Sequence, residues 1–488
     1  MLAAPEWVAG RWRALERGER AALVGLAVLT AGAIGVRLWF MAAYRPAFLG
    51  FEDSHEYVIA AAQDVFRDPQ HPAGYPIFLG LLHVFSHTLS ATILAQHAIG
   101  VLTGLVLYAA VRRTGAPRWV GLVPAAVAYF NGTGIFLEHS LLSDPLFAFL
   151  QALGVYAGVR ALVSGAWRWV LLAGLAVGAS FWVKTVGLSG AVAIAIVLVA
   201  APGALRLRLA RGGAVLAVTA LAVLGYVLVQ DLATGYFGYE RQSAWNLYGR
   251  VATFVDCSTF TPPAGTAFLC PSEPLGHRQS QAFFQYSPAS PAVARYKGPC
   301  CAPSEANTVL KRFSVAAIEH EPVAYAKAIA RGFGFYVFPR FGEVYDPEGL
   351  REALLEPQRS QAIQPAIALY YPSSVGFSGP VSDADPLSEY EKQTRIEGAL
   401  LIVLLAAAVF GPLFLRGPPR LAAYLMTLTA LLSILLALAG NGYDARYAYP
   451  TFAPLAAGAA LGAWGFGTWL ARALRRRSGA SGSDASLA

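Results

Sequence analysis

The stretch AALVGLAVLTAGAIGVRLWFMAA (residues 21–43) is followed, after a short gap, by FEDSHEYVIAAAQDVFRDPQHPAGYPIF (residues 51–78). The first segment is long and apolar enough to cross the hydrocarbon core of a bilayer. The second gathers acids, two histidines, prolines and a glycine before the chain turns apolar again. An apolar run, a polar surface segment and another apolar run form the rhythm of a polytopic membrane protein.

That rhythm continues through the 488 residues, of which 56% are hydrophobic and 14% charged. So apolar a chain is no water-soluble globule. Apolar runs near 21–43, 91–111, 119–136, 142–162, 167–184, 186–203, 212–233, 397–415, 421–440 and 448–470 predict an all-α protein with about ten transmembrane helices. The first run is long and no small-residue cleavage site stands out beyond it, so no cleavable signal is expected.

Every second connection is basic. Arg17 and Arg20 precede the first run, Arg112, Arg113 and Arg118 follow the second, and Arg160 and Arg168 follow the fourth. Arg206, Arg208 and Arg211, then Arg416 and Arg420, then Arg472, Arg475, Arg476 and Arg477 complete the set. Lys and Arg gather on the cytoplasmic side, so ten spans place both termini in the cytoplasm, in a plasma membrane setting. The net charge of +8 is then a set of topology anchors facing membrane lipids and implies no nucleic acid.

The remaining connections fall outside: residues 44–90, a turn near 137–144, the turn at Lys184, an insert over 235–396 and the turn from Asn441 to Tyr447. They hold Asp53, His71, Glu138, His139, Asp144, Lys184, Asp444 and Arg446, so one compartment carries the candidate site. The domain plan is a membrane module over 1–234 with its outer loop at 44–90, the insert, C-terminal transmembrane helices over 397–471, and a disordered cytoplasmic tail over 472–488. All four cysteines, Cys257, Cys270, Cys300 and Cys301, lie in the insert, where an oxidising exterior allows up to two disulfides. Bridges from the adjacent pair Cys300 and Cys301 to Cys257 and Cys270 are one such arrangement. No C-x-x-C pair supports a zinc site. The early insert is rich in Pro, Ser and Gly and reads as loops held by the cysteines, whereas 304–338 has helical spacing with Pro322 interrupting it or opening a second helix.

In the opening stretch, Tyr57, Ala61, Ala62, Val65 and Phe66 share one helical face and Glu56, Gln63, Asp64 and Arg67 the other. Asp53 with Glu56 three residues later is a capping pattern, and the helix dipole there also keeps a carboxylate ionised. A general base for a hydroxyl needs that ionised form. His71-Pro72-x-Gly74-Tyr75-Pro76 reads as a rigid turn returning the chain to the membrane.

The first-loop acid, HPAGYPIFLGLLHVF, SLLSDPLFAFL, GASFWVKTVGLSG (178–190) and ARYAYPTFAP (445–454) occur in an order that resembles the membrane glycosyltransferases of the GT-C fold. The likeness is nearest to the polyprenyl-phosphate-dependent group of protein O-mannosyltransferases and aminoarabinose transferases, and is densest over residues 50–200. The resemblance implies a hexosyl- or pentosyltransferase that inverts the sugar while moving it from a polyprenyl-phosphate donor to an acceptor hydroxyl of a protein, polysaccharide or lipid. It implies Asp53 as general base, with Glu52 as a neighbouring substitute, and Lys184 and Arg446 as ligands of the donor phosphate. Asp144 matches a recurrent acid near the donor, while His71, Tyr75, Glu138, His139 and Tyr447 are supporting candidates.

Each assignment has a plainer counterpart. Asp53 and Asp144 fit as helix caps, Lys184 as a snorkelling cation, and Arg446 as the ion-pair partner of Asp444. No cofactor is fixed by the sequence, although Asp53, His71, Glu138, His139 and Asp144 suit a divalent cation. The competing function is a transporter or flippase of lipid-linked sugars. Transporters place ionisable groups at mid-depth and repeat their halves. The spans here read as nearly free of such charge, without an internal repeat.

Overall fold

A computed structural model describes residues 16–68, 70–299, 302–338, 361–375, 379–380 and 385–480. Helices α1 (Arg17–Ala43), α2 (Glu52–Gln63), α3 (Gly74–His83), α4 (Leu89–Arg112), α5 (Leu122–Phe130), α6 (Gly132–Glu138), α7 (Asp144–Ser164), α8 (Trp167–Val183), α9 (Leu188–Ala200) and α10 (Leu205–Thr234) form the first part. The insert contributes α11 (Gln242–Ala252), α12 (Gln281–Tyr286), α13 (Pro291–Tyr296), α14 (Ser304–His320), α15 (Pro322–Val337), α16 (Gln364–Tyr370) and α17 (Asp385–Thr394). Then α18 (Gly398–Phe410), α19 (Pro418–Gly440) and α20 (Ala445–Ala480) complete the chain. The fold is all-α and multi-pass.

All ten apolar runs carry helix, but by length and apolarity six helices among the described residues suit a membrane crossing, or seven if the bent pair α5 and α6 is one span. The expected ten is therefore not reached on that criterion. Two physical reasons account for three of the four runs not counted, the tenth lying within the long α20. The third run breaks at Asn131, whose side chain leaves α5 to accept from the Gly134 amide and cap α6, bending the pair by 54°. The fifth and sixth runs form only short apolar helices.

Alanines and glycines let the bundle helices approach closely. Gly154 of α7 lies against Val177 of α8, and Gly458 of α20 against Thr427 of α19. Val24, Leu221 and Leu232 point outward with large exposure, as side chains facing lipid do. Arg118 pairs with Glu19 at 2.9 Å and Arg211 donates to the Gly165 carbonyl, so basic connections meet in pairs.

The other connections meet as well. Strand β1 (Tyr44–Arg45) pairs antiparallel with β2 (Gly379–Pro380), Phe48 bridges Ser140, and the Tyr336 hydroxyl donates to the Asp444 carbonyl. The polar connections at 44–48, 140, 379–380 and 444 therefore lie against one another or against the insert.

In the insert, Pro322 opens the second helix after α14. The preceding region is more than loops tied by sulfur, because Trp245, Tyr248, Phe284, Leu310 and Phe313 build an apolar core of their own. Cys257 bonds Cys270, which replaces the expected cross-bridges to Cys300 and Cys301. Those two lie outside the described residues. Helix α20 continues to Ala480, so the start of the expected disordered tail is helical, and 481–488 lie outside the described residues.

Candidate active site

Helix α2 begins at Glu52, and its N-cap is Phe51 without a side-chain cap bond. Asp53 is therefore inside the first turn, and its carboxylate turns away from the backbone toward two cations. Arg446 Nη1 donates to Asp53 Oδ2 at 2.5 Å, and His71 Nε2 stands 3.5 Å from Asp53 Oδ1. The capping expectation fails because a guanidinium outcompetes neutral amides for an ionised oxygen. Glu52 occupies the preceding helical position, and its side chain lies outside the description.

His71 is not a solvated loop residue. Its Nδ1 bonds Asp68 Oδ2 at 2.6 Å, and its ring lies 4.9 Å from that of Tyr57. Burial disfavours the imidazolium, but the charges and hydrogen bonds of Asp53 and Asp68 overrule it and raise the pKa to about 10. Burial alone would likewise raise Asp53, yet Arg446 and His71 hold its carboxyl well below the usual range. Asp53 and His71 are thus both charged at neutral pH.

Gly74 serves close approach instead of the tight bend expected from sequence. A Cβ there would fall 2.4 Å from the Trp182 carbonyl oxygen, so only glycine lets the His71 turn press against the end of α8. Lys184 follows that end as the helix C-cap and donates to Asp144 Oδ1 at 2.6 Å. Asp144 is the first residue of α7, behind the N-cap Ser143, and is 1% exposed. Its Oδ2 is buried without a hydrogen-bond partner among the described residues.

Arg446 satisfies both readings of its sequence context. Its Nε donates to Asp444 Oδ2 at 2.9 Å while its Nη1 holds Asp53. Tyr447 lies under the Lys184 ammonium and the Arg446 guanidinium, each 5.7 Å from the ring centroid, at cation–π range. Its hydroxyl accepts from Asn441.

Asp53, His71, Asp144, Lys184, Arg446 and Tyr447 all line one cavity of about 470 Å³. Phe147, Phe181, Val186 and Leu436 give it an apolar flank, and Gln242, Ser243 and Asn246 of the insert a polar wall. The arrangement offers an ionised carboxylate, three cationic groups and a greasy side in one space. Sequence order separates Asp53 from Arg446 by most of the chain, and packing joins them.

Glu138, His139 and Tyr75 are not in that lining. Arg37 grips Glu138 through Nε and Nη2, both at 2.8 Å, and His97 Nδ1 lies 3.0 Å from the same carboxylate. His97 Nε2 contacts His139 Nδ1 at 3.1 Å, and His139 Nε2 donates to the Tyr44 carbonyl at 3.0 Å. This network is buried inside the bundle, so Glu138 and His139 cannot orient an acceptor in the cavity. It also corrects the picture of spans nearly free of interior charge: Arg37 sits inside the first apolar run and is held by Glu138, 101 positions away. Tyr75 donates to Gln96 and stacks edgewise on Tyr57, supporting the cavity from behind.

The five carboxylate and histidine candidates for a divalent cation are thereby split between two places. Among the described residues no group of three or more His, Cys, Asp or Glu converges as a metal site. Two further groups, Glu240 in the cavity lining and Asp68 behind His71, escaped the sequence reading because acids in polar loops are ordinary there.

Comparison with known proteins bears on the same segment. Residues 70–229 match the family model described as dolichyl-phosphate-mannose-protein mannosyltransferase. This match supports the GT-C resemblance over that segment. It covers His71, Asp144 and Lys184, while Asp53 and Arg446 lie beyond its ends. No curated protein matches the chain. Among solved structures, the Archaeoglobus fulgidus oligosaccharyltransferase with Zn and sulfate aligns at 16% identity and a TM-score of 0.46, covering 90% of this chain and 48% of that one. Its apo form aligns at 14% and 0.47, covering 93% and 52%. The archaeal oligosaccharyltransferase AglB of the same organism, in complex with an inhibitory peptide and a dolichol-phosphate, aligns at 14% and 0.44, again covering 93% and 52%. The chain spans about half the length of these proteins.

Proposed function

We propose that this chain is an inverting glycosyltransferase that moves a sugar from a polyprenyl-phosphate donor to an acceptor hydroxyl on the outer face of the plasma membrane. The observation that carries the reading is the convergence of Asp53, Lys184 and Arg446 in one cavity with an apolar flank. The alternation of basic connections along the chain supports the sidedness, with the termini in the cytoplasm.

In this reading the polyprenyl tail lies along Phe147, Phe181 and Leu436 while the phosphate meets Arg446 and Lys184. The acceptor oxygen attacks the anomeric carbon as the carbon–oxygen bond to phosphate breaks. The bonding pair leaves on the phosphate oxygen, stabilised by the two cations. The hydroxyl proton passes to Asp53 and then to solvent. A phosphate drawing Arg446 toward itself removes the counter-charge from Asp53 and makes that carboxylate a stronger base when one is needed. Asp144 Oδ2, a buried acceptor on a cavity-lining residue with no donor among the described residues, suits a hydroxyl of the donor sugar.

The buried Arg37–Glu138 pair does not favour transport, because its residues line neither described cavity and each is fully engaged. Purified protein incubated with polyprenyl-phosphate sugars and with envelope from a strain lacking the protein tests the reading. Transfer with an inverted anomeric centre supports it. Scrambling of the lipid across liposomes without transfer overturns it.

A further inference from the structure

A second cavity, of about 320 Å³, adjoins the first. The two share Glu56 and Glu240 as lining residues, so these side chains form the wall between them. Glu56 sits three positions after Asp53 on α2, which places both on one helical face and continues that wall to the proposed base. Glu240 comes from the connection between α10 and α11. Its carboxylate accepts from Ser243 Oγ at 2.6 Å and from the Thr185 hydroxyl, beside Lys184.

The smaller cavity is also lined by Ile59, Ala60, Phe66, Arg67, Asp68 and Arg241, among others. Its lining carries both signs, Glu56, Asp68 and Glu240 against Arg67 and Arg241, so neither dominates. Arg67 bonds Gln63, Arg241 lies over the Tyr236 ring at 5.0 Å, and Asp68 holds His71. Such a balanced, partly apolar and partly polar space favours a neutral polyhydroxylated head over a phosphate, whereas the cations of the larger cavity favour the anionic donor.

Resting on the function proposed above, we infer that the smaller cavity receives a neutral, sugar-like acceptor and that Glu240 is a positioning residue whose carboxylate accepts a hydrogen bond from the acceptor head. A hydroxyl brought through this shared wall enters the cavity that Asp53, Lys184 and Arg446 line. Glu240 holds the acceptor and Asp53 takes the proton.

The ionisation of Glu240 fits the assignment. Burial pushes its pKa up to about 7, against the opposing effects of Ser243, His71 and Thr185, while Asp68 adds to the rise. Facing it across the two cavities are also Glu56, Asp53, Lys184, Arg67 and Arg241. Acceptor affinity therefore strengthens as pH rises through about 7, when the neutral acid becomes a stronger hydrogen-bond acceptor.

The test uses the full-length protein in lipid nanodiscs, a radiolabelled polyprenyl-phosphate sugar, and envelope of the deletion strain titrated as acceptor. Polyprenyl phosphate without sugar serves as the separate binding probe. For Glu240→Gln the expected result is an acceptor KM raised about ten-fold or more, kcat changed far less, and loss of the pH limb near 7. Glu240→Asp is expected to recover part of the KM. Thr234→Trp, on an exposed residue lining the smaller cavity, is expected to lower transfer by a similar factor with unchanged polyprenyl-phosphate binding. Wild-type acceptor KM in both Glu240→Gln and Thr234→Trp overturns the inference while leaving the proposed function standing. Unaltered protein that neither binds polyprenyl phosphate nor transfers sugar overturns both.

Discussion

Replacing Asp53 by Asn keeps the shape of the side chain and removes one negative charge. That charge lies 2.5 Å from Arg446 Nη1 and 3.5 Å from His71 Nε2. At an effective dielectric near 20, unit charges about 4 Å apart attract by about 4 kcal/mol, before desolvation offsets much of it. Neither cation is left alone, because Arg446 retains Asp444 at 2.9 Å and His71 retains Asp68 at 2.6 Å. The net cost in stability is therefore expected at about 1–3 kcal/mol, within what a folded protein tolerates. Donor binding should hold or tighten by up to about ten-fold, since an amide no longer competes with phosphate for Arg446, and that factor equals about 1.4 kcal/mol. Turnover should instead fall by roughly 10² to 10⁴, the usual contribution of a positioned base. Binding is measured with polyprenyl phosphate by tryptophan fluorescence, and transfer with a radiolabelled donor. Turnover within ten-fold of the unaltered protein, or donor affinity lost as severely as in Arg446→Ala, would refute the assignment of Asp53 as base.

Arg446→Ala and Lys184→Ala should each weaken polyprenyl-phosphate binding by about ten-fold or more and affect turnover at saturation less, as the same binding assay reads. Either Arg37→Ala or Glu138→Ala should cost about 3–5 kcal/mol by stranding a buried charge, whereas the double replacement by leucine should recover much of it; thermal unfolding in detergent compares the three. His71, with its pKa raised from 6.5 to about 10, contributes stability that is complete below pH 6.5 and lost as pH rises toward 10. The melting advantage of the unaltered protein over His71→Ala should accordingly shrink between pH 7 and pH 10. Breaking the Cys257–Cys270 bridge, which spans a sequence separation of 13, should destabilise the insert by about 3 kcal/mol, seen as a separate earlier transition on adding reductant.

Lys184 and Arg446 were legible as candidates because each stands where an apolar run ends, and a charge at that place requires a reason, whereas Asp53 was legible from its place at a helix start and from the family resemblance. Glu138 and His139 shared the same signal and belong to a different network, since a turn at a membrane edge looks alike in sequence whether its side chains enter a cavity or fold back into the bundle. Arg37 shows the same limit from inside a helix. Its bidentate bond to Glu138 fills space beside Gly100, where a Cβ would collide with the carboxylate. That match of volume cannot be read one position at a time.

By itself the sequence determined the helical class, the alternation of basic and polar connections, the placement of the cysteines in one insert and the helix opened by Pro322. These depend on local composition and period, which set how each segment partitions between lipid and water. Only the tertiary structure decided that Asp53 meets Arg446, that Lys184 meets Asp144, and that Glu240 stands between two cavities. Ion-pair choice depends on which helix ends pack together, and the Coulomb interaction that selects a partner falls off over a few ångströms in space irrespective of distance along the chain.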